Sequence, residues 1–119
     1  MEDLLIQNAY IFDGTGTPGF PGTLSVRDGR ISGIWRQAAH RTPARETLDA
    51  GGNVLCPGFV DTHTHSDMIL LHDGRHPSSI TQGVTTEILG QDGLSYAPLS
   101  PDLLSSYAKY LKGIDGAFD

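Results

Sequence analysis

The sequence predicts a mixed α/β chain: a β-rich module over residues 1–55, then the first units of a parallel βα array over residues 56–119. Three observations carry that prediction. Period-two alternation broken by turn residues fills the first half. The composition shifts at Val54, where an apolar run leads into two histidines. Beyond them strand-like and helix-like segments alternate, the order from which parallel sheets are built.

The elements follow in order. Leu4, Leu5, Ile6, Tyr10, Ile11 and Phe12 form an apolar, β-rich stretch, ended by a turn-rich segment at residues 13–19. Residues 24–27 and 30–35 alternate with period two on either side of Asp28-Gly29. That dipeptide predicts a tight hairpin, because a type I′ turn needs positive φ at both central positions. Residues 37–46 are polar and aperiodic and are expected to form a surface loop, with a short strand over residues 47–50. Residues 59–63 fit a buried parallel strand. A short helix over residues 77–82 has Pro77 in its first turn and Gly83 as its stop. The β-branched residues 84–89 read as a second buried strand. Ser100 and Pro101 open a helix carrying Leu103, Leu104, Tyr107, Tyr110 and Leu111 at helical spacing, with Gly113 expected to end it.

Composition narrows the function classes. A formal charge of -6 and the absence of a lysine and arginine cluster argue against nucleic acid as a partner. The longest uninterrupted apolar run, residues 68–71, is far short of the roughly 20 residues that span a bilayer. No membrane partner is expected. The acidic start Met1-Glu2-Asp3 is unlike a secretory signal, and a single cysteine, Cys56, fits a reducing compartment, so the expectation is a cytoplasmic protein.

The chemistry concentrates at His63 and His65. Two residues apart on a strand, they project to one face and make a half-site for zinc or a similar divalent ion. Asp61 shares their parity and is placed to hydrogen-bond a ligand imidazole or an activated water. Taken alone, the pair reads more readily as two histidines on a polar loop, since H-x-H occurs often by chance.

Its context adds a resemblance. Residues 57–65 read P-G-F-V-D-T-H-T-H and resemble the strand-one motif of the amidohydrolase superfamily, P-G-x-x-D-x-H-x-H. The run D-G-R-I at residues 28–31 and the run from Asp49 sit where that family has them. Residues 82–86 and 90–99 are similar to the N-acyl-D-amino-acid deacylase branch, the D-aminoacylases. The resemblance implies an N-terminal β-sandwich portion followed by the first βα units of a TIM-type barrel. It implies a metal-dependent hydrolase of linear amides, with one or two divalent ions, zinc first, and a small-molecule N-acyl amino acid as substrate.

In that branch the loop reads G-x-C-G and the cysteine is a metal ligand; here Asp92 stands in its place. The expected metal set is therefore His63, His65 and Asp92, with Asp92 favouring harder ions than a thiolate would. A turn aspartate in Gln91-Asp92-Gly93 is the plain alternative. Asp67 follows as it does in the branch, either orienting a ligand imidazole or standing as a loop carboxylate. The resemblance puts further ligands and a proton-shuttling aspartate beyond residue 119. No catalytic residue is therefore expected within the chain, which should need the rest of the barrel or another chain to be active. A cyclic-amide hydrolase of the dihydropyrimidinase type and a non-catalytic binding module are the alternatives.

Other motifs carry less. Residues 14–19 satisfy GxGxxG, but Pro18 and Pro21 forbid the helix that a dinucleotide site requires. His72 and His76 are separated by Gly74 and are expected in loops, with the mouth of the site as a second place for them. Cys56 is expected as a packed thiol, and His40 is given no role.

Overall fold

The computed structural model describes residues 1–36, 38 and 40–115. The chain divides into two compact units, Met1–Pro57 and Gly58–Asp119.

The first unit is one five-stranded sheet. Its centre is β1 (Glu2–Ile11), which pairs antiparallel with β2 (Phe20–Arg27) and parallel with both β4 (Ala44–Asp49) and β5 (Val54–Leu55). The edge strand β3 (Arg30–Trp35) joins β2 through the foreseen hairpin. Asp28 and Gly29 both have positive φ, 52° and 71°, as the type I′ turn requires. One extra residue enters β1 between Ile6 and Ala9, a bulge where Asn8 adopts φ 55° and bonds Asp49 at 2.9 Å. The alternation buries Ala9 and Ile11 on β1 against Phe20 and Leu24 of β2, and Leu5 is buried as well.

Two expectations for this unit need correction. The segment expected to be loop up to residue 46 is already strand from Ala44, because Glu2 and Leu4 of β1 supply backbone partners for Ala44 and Glu46. Local polarity hid the strand: β4 lies at the edge of the sheet and most of its side chains face solvent. Residues 37 and 39 of that predicted loop lie outside the described residues. Cys56 is exposed rather than packed, since pairing with β1 stops at Leu55. Residues 14–19 run through a turn on Asp13, whose carboxylate accepts bonds from Thr15 and Thr17, and then enter β2.

The second unit carries the predicted order strand, helix, strand, helix. β6 (Phe59–Asp61) and β7 (Val84–Glu87) pair in parallel. Between them lie α1 (Ile69–His72), which was not foreseen, and α2 (Pro77–Ile80), where Pro77 opens the helix and Gly83, at φ 84°, follows it. α3 (Pro101–Asp115) starts where predicted but runs through Gly113. Gly113 does not have positive φ, so it forms no left-handed cap; a glycine inside a helix costs only about 1 kcal/mol.

The strand predicted over residues 59–63 is shorter and less buried than expected. It ends at Asp61, and Phe59 and Val60 are more than half exposed. With β7 as its one partner among the described strands, β6 has no layer over those two side chains. Among the described residues no helix is long and apolar enough to cross a membrane.

Candidate metal centre

The site forms beyond the ends of the two parallel strands of the second unit. Asp61 closes β6, and its carboxylate accepts the backbone N–H of His63 at 3.0 Å. This Asx-type turn bends the chain, so His63 and His65 converge through a bend rather than through strand parity. Their rings meet edge to face, with centroids 5.6 Å apart.

Asp92 comes from the loop after β7. It lies in a single 3-10 turn (Gln91–Gly93) with φ 56° and ψ 22°, a left-handed conformation that aspartate tolerates better than most residues. Gly90 and Gly93 on either side also have positive φ, 76° and 74°. The Tyr107 hydroxyl of α3 donates to the Gly93 carbonyl at 3.2 Å, and the Tyr96 and Tyr107 rings pack edge to face. The long helix thus holds the loop that presents Asp92.

The three side chains converge. Asp92 Oδ2 lies 3.1 Å from His63 Nε2 and 3.6 Å from His65 Nε2. One donor atom from each falls within 4.8 Å of the others. Two imidazole nitrogens and a carboxylate oxygen are a fitting donor set for zinc and tolerable for harder divalent ions. His65 is the more enclosed imidazole, its side chain 27% exposed against 61% for His63. Its Nδ1 is buried with no hydrogen-bond partner among the described residues. The structure therefore brings together all three residues of the expected metal set.

The two flanking aspartates are placed differently from that set. Asp61 spends its carboxylate on the His63 backbone, with no bond to an imidazole among the described residues. Asp67 Oδ2 is buried and unpartnered among the described residues.

Sequence reasoning passed over a second polar cluster in this unit. His76 Nε2 lies 2.9 Å from Glu87 Oε1, and Ser79 Oγ donates to the same oxygen at 2.6 Å. Both ionisable side chains are nearly buried, 13% exposed for His76 and 9% for Glu87. Burial pushes the Glu87 pKa up, but hydrogen bonds from Ser79, His76 and Ser66 outweigh it and hold the carboxyl below its ordinary range. Ser79 Oγ and Glu87 face the same nitrogen of His76, so the trio is not a nucleophile–base–acid relay, which uses both ring nitrogens. The overlooked signal was Glu87 itself, the one ionisable residue in the run predicted as a strand over residues 84–89.

No family model matches the chain. It is 43% identical over 98 residues to the N-acyl-D-aspartate deacylase of Alcaligenes xylosoxydans xylosoxydans, a match that spans 82% of this chain and 19% of that protein. It is 41% identical over 98 residues to the D-aminoacylase of the same organism, again over 82% of this chain and 20% of the relative. Among solved structures, the N-acyl-D-glutamate deacylase of Bordetella bronchiseptica superposes with a TM-score of 0.76 at 33% identity. That superposition covers 95% of this chain and 27% of the other, a protein solved with zinc and a phosphonate mimic of the tetrahedral intermediate. The chain thus spans about a fifth of the length of these curated relatives.

Proposed function

We propose, from the premise that this chain belongs to the N-acyl-D-amino-acid deacylase branch of the amidohydrolases, that it supplies part of the metal centre of a linear-amide hydrolase. The carrying observation is the convergence of His63, His65 and Asp92 on one point beyond the parallel strands. Their donor atoms would hold a divalent ion, zinc in the first place. An ion bound there supplies Lewis-acid chemistry, activating water and polarising a carbonyl near neutral pH.

The chain's own residues do the holding and aiming. His63 and His65 turn Nε2 toward Asp92, and Asp61 fixes the bend that brings them there. Asp92 contributes a hard oxygen where the branch carries a thiolate, which favours harder ions or weakens zinc binding. No proton-shuttling group is assigned among the described residues. In this reading β6 and β7 begin a TIM-type barrel over residues 56–119, and the sheet of residues 1–55 is part of a β-sandwich. The substrate class is an N-acyl-D-amino acid, cleaved to a D-amino acid and a carboxylate.

A substrate panel tests this on the full-length protein: N-acetyl amino acids of both hands, beside cyclic imides. Metal-dependent release of the D-amino acid alone is expected. Turnover confined to cyclic imides would move the protein to the dihydropyrimidinase type. Tight metal binding without any turnover would leave a binding module.

A further inference from the structure

Asp92 must be aimed closely from an open loop. Its carboxylate oxygen stands 3.1 Å from His63 Nε2 and 3.6 Å from His65 Nε2, yet its side chain is 60% exposed, so packing does not fix its place. The flanking backbone does not fix it either. Gly90 and Gly93 both have positive φ, and glycine adopts either sign of φ about equally well. Within the loop, the Leu94 N–H bonds the Gln91 carbonyl at 2.8 Å, and the Gln91 side-chain amide bonds the Ile88 carbonyl at 3.2 Å. Neither bond engages the Gly93 carbonyl.

That carbonyl is held from outside the loop. The Tyr107 hydroxyl of α3 donates to it at 3.2 Å, across 14 residues of sequence. The helix is seated at this point. Leu111, one turn beyond Tyr107 and on the same face, is fully buried, whereas Leu103, Leu104, Tyr110 and Ile114 are exposed. The Tyr107 ring packs edge to face on Tyr96, with centroids 5.6 Å apart. A phenylalanine would keep that ring contact, so packing does not call for the hydroxyl; the bond to Gly93 does.

We infer that Tyr107 is a positioning residue that holds the Gly93 peptide, and through it Asp92, in the arrangement that meets a metal ion. The inference rests on reading His63, His65 and Asp92 as a metal centre, and it adds that docking of α3 and metal binding are coupled. Partners bonded directly to a metal ligand typically change affinity by about 10–100-fold when removed. Tyr107 acts one residue away through a neutral hydrogen bond, whose net worth corresponds to about three- to tenfold.

The test uses the full-length protein, with zinc for chelator competition and cobalt(II) for its visible spectrum. Tyr107→Phe keeps the ring and removes the hydroxyl. It is expected to weaken zinc binding by about three- to tenfold and to alter the cobalt spectrum. In an Asp92→Asn background the same change should cost little further, because the two residues act along one path. Wild-type zinc affinity in Tyr107→Phe, or an equal loss with and without Asp92→Asn, would overturn the positioning role. Coupling is reciprocal, so zinc is also expected to slow amide hydrogen exchange in α3 of the wild-type protein. Unchanged exchange there would overturn the inference even if Tyr107→Phe did not fold. Asp92→Asn separates the two ideas. If it weakens zinc binding while Tyr107→Phe does not, only the positioning role falls. If Asp92→Asn leaves zinc affinity at the wild-type level, Asp92 is no ligand, and that reading of the site and the inference fall together.

Discussion

Asp92 occupies a backbone conformation that aspartate and asparagine tolerate and most other residues resist. That makes Asp92→Asn the informative substitution, because it keeps the turn and removes the charge. Zinc affinity in the full-length protein is expected to fall at least about tenfold, since a lost ligand should cost no less than a lost partner of a ligand. The metal-free melting temperature should stay close to wild type; unchanged affinity would show that Asp92 is only a turn residue. At this scale the histidines were legible from their spacing and lead-in, but their geometry was not. Strand parity suggested one mechanism of convergence, whereas the Asp61–His63 Asx turn supplies another. His76 and Glu87 were illegible because eleven residues separate them in sequence and the bond forms only after α2 packs on β7.

Gly58 shows how tightly the start of β6 approaches β7. A Cβ there would lie 2.1 Å from Thr85 Oγ1 and 2.3 Å from its Cγ2, so something must move. Gly58→Ala is expected to destabilise by about 1–3 kcal/mol in chemical denaturation, the usual cost of overpacking. Thr85→Ala in the same background should recover part of that loss, because it removes the two atoms in the way. No recovery would place the strain elsewhere. In the first unit, Glu2 ties three strands together by accepting from Ser32 on β3 and pairing with Arg27 on β2. The Ser32 hydrogen bond, aided by Arg27, holds the Glu2 carboxyl below its ordinary value of 4.5. A lowered native pKa contributes stability in full above the ordinary value and loses it as pH falls through the lowered one. Glu2→Gln should therefore be less stable than wild type at neutral pH, with the gap closing in acid; a gap independent of pH would contradict this. The hairpin and the helix starts were legible because turn and cap residues act locally. β4 was not, because its partner, β1, lies some forty residues earlier.

Over the whole molecule, a sheet-rich first unit is followed by a unit with a parallel strand pair whose ends present the candidate site. Exposed apolar side chains recur in the second unit, with Phe59, Val60, Ile80, Leu103, Leu104 and Tyr110 all facing solvent. Their exposure could not be read from the sequence, since period and composition give the same signal for a covered and an uncovered strand. The chain spans about a fifth of the length of the curated relatives it matches. The central claim is that His63 and His65, with Asp92, hold a divalent ion. Metal content of the purified full-length protein, wild type beside a His63→Ala/His65→Ala variant of matching fold, tests it most directly. The account predicts that the variant loses bound divalent metal that the wild type retains through dialysis; equal metal content in the two would contradict it.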